Sequence, residues 1–274
     1  MRKSELSSGA PYESSDAERA VPTPATGHRS DLAAWSGVPE SGWVESMRMA
    51  TKGEPTVMQG LVVDWGSVLT TSIDEAIASW LAWEGIAWDA FASVMRSLHD
   101  ESDSALHRLE TGRLARRDFE VHLAERLASA TGRPVDPEDL ADRMLRDLHP
   151  NEPLRGIVRE CRSRGWRTAM LSNSWGFDYD EDDLGTLFDS LLISDRIGLR
   201  KPDAPAFEAA LQALDLPAQS CVMIDDLRRN IKAAEALGMR GFLYRHGSEA
   251  ELRAFLGLPL SHSRISEPLG DEGR

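Results

Sequence analysis

The residues of this 274-residue chain with the clearest chemical potential are carboxylates that follow apolar runs. Asp64 ends the run Gly60-Leu-Val-Val, and the pair Asp225-Asp226 ends Cys221-Val-Met-Ile. A carboxylate fixed at the end of a buried strand can act as a covalent nucleophile. Two adjacent carboxylates repel each other, so such a pair suits a hard cation such as Mg²⁺. An ordinary strand-end cap and a solvated acidic turn are the alternative interpretations.

Polar residues also follow two other segments. Ser172 and Asn173 end an apolar run and offer uncharged hydrogen-bond donors that suit phosphoryl oxygens. Lys201 lies in Gly198-Leu-Arg-Lys-Pro-Asp203 and can place a positive charge beside a carboxylate or a phosphoryl group. The same stretch is also a good local sequence for starting a helix, so a purely structural role stays open.

The apolar pattern predicts how these residues are positioned. In an open α/β sheet the ligand binds beyond the carboxyl ends of the strands, which is where all of these residues lie. Short apolar strands alternate with helices, and this alternation predicts an α/β fold with a doubly wound parallel sheet. The predicted strands are 60–64, 167–172, 191–194, 221–225 and 241–244, and the predicted helices between them are 152–164, 204–214 and 229–237.

Residues 73–148 show only helical patterning, with predicted helices at 74–83, 88–98, 118–130 and 137–148. We therefore expect a core formed by 58–72 and 149–256, with 73–148 as an inserted helical cap domain. Residues 1–57 are rich in Ser, Pro, Gly and Ala without periodicity, which predicts a disordered extension. Residues 257–274 are similarly polar and are expected to form a flexible tail.

Composition restricts the partners. Hydrophobic residues make up 41% and charged residues 28% of the chain, and the formal net charge is −14, a balance that disfavours nucleic acid. Cys161 and Cys221 have neither a disulfide-framework nor a metal-ligand spacing. Neither a secretion segment nor a run of 18 apolar residues is found, so we expect a cytoplasmic protein without a membrane partner. The oligomeric state is left open.

Four motifs in order resemble those of the haloacid dehalogenase-like (HAD) superfamily, in the subgroup whose first motif reads Asp-x-Gly-Gly-Val-Leu. They are Asp64-Trp-Gly-Ser-Val-Leu-Thr70, Leu171-Ser-Asn-Ser174, Gly198-Leu-Arg-Lys-Pro-Asp203 and Ile224-Asp-Asp-Leu227. Each motif alone is weak, but the ordered set is specific. The resemblance covers about residues 58–246. It implies a Rossmann-like core with a small helical cap, and Mg²⁺-dependent hydrolysis of a small phosphorylated metabolite.

The resemblance also implies a role for each motif residue. Asp64 would be the nucleophile that forms an aspartyl-phosphate, and Lys201 would pair with it. Asp226 would bind the metal directly, Asp225 directly or through water, and Asn230 would orient them. The metal would also bind Asp64 and the backbone carbonyl of Gly66.

Substrate contacts are expected from Ser172 and Asn173. Trp65 and Trp175 each follow closely after a motif and are expected to shape the pocket. The cap resembles one that closes over the site and selects substrate. Its residues Trp80, Trp83 and Trp88 have a helical spacing that favours packing between helices over an aromatic wall for an apolar substrate.

The pattern departs from the family at Gly66. Phosphatases of this superfamily usually carry a second Asp there, which serves as general acid and base. General acid–base help is worth about 10²–10⁴ in rate. His107 on the cap is one candidate for a replacement acid.

Three functions therefore remain open. The leading one is a Mg²⁺-dependent phosphatase. The second is a metal-independent 2-haloacid dehalogenase, whose first motif also lacks the second Asp but whose last motif does not read Asp-Asp. The third is a catalytically weak or regulatory binding protein, against which the retained Asp64, Lys201 and Asp225-Asp226 argue.

Overall fold

The structure is a computed structural model that describes residues 58–100 and 103–259. The predicted disordered extension at 1–57 and the predicted tail from residue 260 onwards lie outside the described residues. No helix in the described ranges combines the length and apolarity needed to cross a membrane.

The described core contains a five-stranded parallel sheet with the order β3-β2-β1-β4-β5. Its strands are β1 (Gly60–Val63), β2 (Arg167–Ser172), β3 (Ser190–Ile193), β4 (Cys221–Asp225) and β5 (Arg240–Leu243). The chain runs outward from the central β1 in both directions, so the strand order reverses at β1. A ligand site is expected beyond the carboxyl ends of the strands at this reversal.

Helices cover both faces of the sheet, which confirms the predicted doubly wound α/β fold. On β1, Leu61 and Val63 pack on one face and Val62 on the other, as the alternation of side chains along a strand requires. The helices of the core are α6 (Glu152–Ser163), α7 (Glu181–Gly185), α8 (Ser194–Ile197), α9 (Ala204–Leu214), α10 (Arg228–Ala236) and α11 (Glu249–Phe255).

Between β1 and α6 the chain is helical, and we call residues 73–148 the helical insertion. Its helices are α1 (Ile73–Glu84), α2 (Trp88–Asp100), α3 (Ala105–Glu110), α4 (Arg116–Thr131) and α5 (Leu140–Met144). The insertion has an apolar core of its own, which includes Ile77, Leu98, Leu106, Phe119 and Leu127.

Two helices of the insertion differ from the sequence prediction. Helix α3 was not predicted, and α5 is shorter than the predicted helix at 137–148. Asp139 has a left-handed φ of 49°, and the Arg143 guanidinium binds the carbonyls of Asp136 and Glu138. These contacts hold the residues before Leu140 in a turn.

Two further expectations were wrong in part. Trp80 is buried as expected, but Trp83 is 67% and Trp88 44% exposed, so these two do not pack helices together.

Leu258, expected in the tail, is buried in the same apolar cluster as Leu256. Arg253 donates a hydrogen bond to the Pro259 carbonyl at 2.7 Å, which keeps this segment against α11.

Candidate active site

Three carboxylates meet at the carboxyl ends of β1 and β4. These strands pair with Val63 opposite Ile224, and the Asp64 amide donates to the Ile224 carbonyl at 2.9 Å. Asp64 therefore leaves its strand beside the Asp225-Asp226 pair. One carboxylate oxygen from each of the three residues lies within 4.8 Å of the others, a spacing that could hold a metal ion.

Lys201 reaches into this cluster. Its Nζ lies 2.6 Å from Oδ1 of Asp64 and 2.8 Å from Oδ2 of Asp225, and its side chain is only 1% exposed. Asn173 fixes the backbone of Lys201, because its Nδ2 donates to the Lys201 carbonyl and its Oδ1 accepts from the Lys201 amide, both at 2.8 Å. The Asn173 side chain thus positions Lys201, although it also lines the cavity where a substrate contact was expected.

Asp225 is held from three sides. Besides Lys201, it accepts hydrogen bonds from the Leu227 amide at 2.8 Å and from Asn230 Nδ2 at 2.9 and 3.0 Å. Asp225 is fully buried and does not line the cavity, whereas Asp226 does. Asp226 is therefore the carboxylate of the pair that is available to a ligand.

Burial and crowding determine the charges of this cluster. Burial, with repulsion from Asp225 and Asp226, raises the pKa of Asp64 to about 8, although Lys201 acts in the opposite direction. Burial and Asp225 raise the pKa of Asp226 to about 6. Burial acts to lower the pKa of Lys201, but the carboxylates of Asp225 and Asp64 outweigh it and raise that pKa above its usual range.

Lys201 neutralises only one of the three closely spaced carboxylates. The negative charge of the other two must be balanced either by protons or by a metal cation. A divalent cation beside Asp64 and Asp226 would keep both ionised. Mg²⁺ prefers oxygen ligands of this kind, so the donor set fits it.

Gly66 lines the cavity, and the space beside it is filled. A Cβ at this position would lie 2.4 Å from Cδ1 of Ile73, the first residue of α1. Ser67, next in the chain, has a left-handed φ of 57°, and its Oγ accepts a hydrogen bond from the Ile73 amide at 3.0 Å. The turn after β1 therefore places Ile73 where the family's second acid would project.

The cavity over the carboxylates has a volume of about 290 Å³. Trp65 and Trp175 both line it. Trp65 packs against Phe177 and Tyr179 with ring centroids 5.9 and 5.1 Å apart, and Trp175 packs edge-on against Phe119 of the insertion at 5.5 Å. Ser172 also lines the cavity and shares a hydrogen bond with the Tyr179 hydroxyl at 3.1 Å.

The insertion contributes cavity residues that the sequence analysis missed. They include Glu110, whose Oε2 accepts from Arg200 Nε at 2.6 Å, and both side chains are largely buried. Burial raises the pKa of Glu110, although Arg200 and a hydrogen bond to Trp175 act against the rise. The sequence signal that could have found Glu110 is the spacing of Leu106, Leu109 and Glu110, which places the three on one face if the segment is helical.

The histidine expectation needs a correction. His107, suggested as a replacement acid, does not line the cavity, whereas His99 does. His107 lies on α3, where it takes part in the backbone bonding of the following turn. Periodicity alone does not show which face of α2 or α3 is turned to the cavity.

Comparison with known proteins gives the same assignment as the motifs. The family model described as haloacid dehalogenase-like hydrolase matches residues 58–238. The chain is 33% identical over 108 residues to mouse acyl-CoA dehydrogenase family member 10 (38% of this chain, 10% of that protein). It is 31% identical over 102 residues to the sesquiterpene phosphatase astK of Aspergillus oryzae (34% and 50%). It is 32% identical over 94 residues to phosphatase MT3486 of Mycobacterium tuberculosis (32% and 43%). These matches span half or less of each relative's length.

Solved structures share the fold at low identity. A HAD family enzyme of Bacteroides thetaiotaomicron in complex with magnesium and inorganic phosphate has a TM-score of 0.51 at 18% identity, covering 69% of this chain and 96% of that one. A structure described as a dehalogenase has a TM-score of 0.54 at 19% identity, covering 75% and 100%. Because the family model spans well over half of the chain and the fold agrees, this chain belongs to the haloacid dehalogenase-like hydrolases.

Proposed function

We propose that this hydrolase is a Mg²⁺-dependent phosphatase that acts on a small phosphorylated substrate through an aspartyl-phosphate on Asp64. The observation that carries the proposal is the cluster of Asp64, Asp225 and Asp226 around the buried Lys201. Lys201 balances only one of the three carboxylates, so the cluster without a metal carries excess negative charge that repels an anionic substrate. Transfer of a phosphoryl group, in contrast, requires cations around its oxygens.

The residues divide into those that would hold the metal and those that position them. Asp64, Asp226 and the backbone carbonyl of Gly66 would bind Mg²⁺, which supplies positive charge to the phosphoryl oxygens when bound. Asp225 is engaged by Lys201 and Asn230, and these hydrogen bonds favour an indirect role for it.

The reaction would proceed in two steps. The Asp64 carboxylate attacks phosphorus, the bond to the leaving oxygen breaks, and that oxygen takes up a proton. Water then attacks the phosphorus of the aspartyl-phosphate, which restores Asp64 and releases inorganic phosphate. Lys201 stabilises the ionised form of Asp64 and the charge on the phosphoryl group, and the Ser172 hydroxyl lies in the same cavity.

Gly66 provides no acid for the leaving oxygen. Substrates whose leaving groups are good, such as acyl phosphates, need little help from an acid. For poorer leaving groups, Glu110 is one group in the cavity that could hold a proton, because burial raises its pKa.

Two of the relatives have phosphatase in their names, which supports the proposal. The second candidate is a metal-independent dehalogenase, which Gly66 favours because that reaction needs no second acid. It leaves the projection of Asp226 into the cavity without a function, so we rank it lower.

The proposal is tested by phosphate release from acetyl phosphate and p-nitrophenyl phosphate with Mg²⁺ or with EDTA. We expect release that requires Mg²⁺ and is lost in Asp64→Asn. The matched control is Asp215→Asn, which changes an exposed aspartate on α9's C-terminal cap and should keep full activity. Chloride release from 2-chloropropionate in EDTA, with no phosphate release, would instead identify a dehalogenase.

A further inference from the structure

A second groove continues from the cavity along the helical insertion. It has a volume of about 290 Å³ and lies between α1 and α2. Five residues line both the cavity and the groove: Ile73, Asp74, Ile77, His99 and Trp175. The two spaces therefore adjoin at these shared residues, next to the cavity that holds Asp64.

The groove is mainly apolar beyond the shared residues. Trp88, Phe91, Ala92 and Met95 line it together with one charged residue, Arg96, and the Trp88 and Phe91 rings pack together with centroids 6.1 Å apart. Trp88 is 44% exposed, so a large apolar ring borders the groove with much of its surface in water. Exposed apolar surface that continues from a reaction site marks a place where an apolar ligand can bind.

The direction of the reaction points the leaving group towards this groove. The attacking and leaving oxygens lie roughly in line in phosphoryl transfer, so the leaving group extends away from the Asp64 carboxylate. Asp64 directly follows β1, whereas Ile77 and His99 belong to helices of the insertion and line both the cavity and the groove.

We propose that the groove binds the hydrocarbon part of the leaving group, and that the substrates are phosphomonoesters of apolar alcohols with about six or more carbons. This proposal rests on the proposed phosphatase function. The apolar walls select the alkyl chain, while Asp64 and Lys201 act on the phosphoryl end. Small polar phosphate esters make no apolar contacts with the groove and are therefore poorer substrates.

The test compares kcat/KM for ethyl, butyl, hexyl and octyl phosphate with Mg²⁺, each normalised to acetyl phosphate with the same protein. A fully buried methylene favours binding about fourfold. For a chain half-buried in an open groove we expect about twofold per methylene, or about 60-fold from ethyl to octyl phosphate.

Two variants locate the effect. Met95→Asp places a charge in the groove and should reduce the ethyl-to-octyl ratio to less than about fivefold. Trp83→Ala removes a tryptophan that is 67% exposed and does not line the groove, so it should keep the full ratio. A ratio near one in the wild-type enzyme, with acetyl phosphate still hydrolysed, would overturn the substrate class and leave the phosphatase function standing.

A binding measurement separates the two proposals. Absence of phosphate release from every substrate would refute the proposed function, and the groove would then be tested by tryptophan fluorescence in Asp64→Asn. We expect saturable change with octyl phosphate and not with ethyl phosphate, reduced in Trp88→Phe. Equal responses to both esters, or an unchanged octyl response in Trp88→Phe, would show that the groove does not bind the alkyl chain and would overturn this proposal.

Discussion

The absent acid at position 66 gives the sharpest mutational prediction. A Cβ on Gly66 would lie 2.4 Å from Cδ1 and 3.6 Å from Cγ1 of Ile73. Carbon atoms pack at about 3.5–4.0 Å, so the Ile73 side chain must move by more than about 1 Å to admit an aspartate. Ile73→Ala removes both atoms. We therefore expect Gly66→Asp to work well only in combination with Ile73→Ala.

The magnitude depends on the leaving group. A positioned general acid contributes about 10²–10⁴ in rate when the leaving oxygen is basic, as in hexyl phosphate. Allowing for imperfect placement, we expect the double variant to exceed Ile73→Ala about 100-fold in kcat/KM on hexyl phosphate. On acetyl phosphate, whose leaving group needs no proton, the gain should stay below about threefold.

The assay is Mg²⁺-dependent phosphate release from both substrates by the wild type, both single variants and the double variant. Ile73→Ala alone controls for the loss of apolar surface at the entrance to the groove. Equal rates for the double variant and Ile73→Ala on hexyl phosphate would refute the reasoning. A similar gain on both substrates would also refute it, since an effect on the leaving group cannot produce one.

Two further predictions concern packing and charge. Gly112 and Gly132 share a φ of +69°, but a Cβ at Gly112 would lie 2.1 Å from the Asp195 carbonyl oxygen while one at Gly132 meets nothing within 4 Å. In urea denaturation we expect Gly132→Ala to lower the free energy of unfolding by about 1 kcal/mol and Gly112→Ala by at least twice that; equal losses would contradict the close packing of insertion and core. Without metal, burial and the neighbouring carboxylates raise the pKa of Asp64 to about 8 and the pKa of Asp226 to about 6 in the folded protein, above the ordinary value of 3.8. The stability due to their protonation is therefore present below about pH 4 and is lost as the pH rises to about 8. Mg²⁺ should therefore raise the melting temperature more at pH 8 than at pH 5.5, and equal shifts at the two pH values would argue against a metal between these carboxylates.

The fold was largely predictable because its strands are short buried runs with polar ends. The bounds of β2, β4 and α9 match the predicted 167–172, 221–225 and 204–214. The same pattern located Asp64 and the Asp225-Asp226 pair, since parallel strands bring their carboxyl ends to one edge of the sheet.

Contacts between distant segments were not predictable in this way. Glu110 and Arg200 are 90 residues apart, and Asn173 and Lys201 are 28 apart, so no local periodicity joins them. Asn173 was expected at the substrate because it is a good hydrogen-bond donor. Its amide lines the cavity and also holds the Lys201 backbone, a role that depends on the path of the loop after α8.

Helical periodicity also left the orientation of the insertion undetermined. It marked the apolar residues of α1 and α2 but not which of them face the insertion's own core and which face the groove. Trp80 packs inward while Trp88 borders the groove, although both are tryptophans in neighbouring helices of the insertion. Ile73 occupies the space beside Gly66 because of the turn at Ser67. Ser67 has a left-handed backbone, which cannot be predicted from a serine in the sequence.

The most direct test of the account is the detection of the phosphoryl group on Asp64 itself. Protein mixed with acetyl phosphate and Mg²⁺ is quenched in acid during turnover and analysed by peptide mass spectrometry. We predict a phosphorylated peptide that carries the group on Asp64, loses it in hydroxylamine as an acyl phosphate must, and is absent from Asp64→Asn. Turnover with no modified Asp64, or with a hydroxylamine-stable phosphate on another residue, would contradict the nucleophilic role of Asp64.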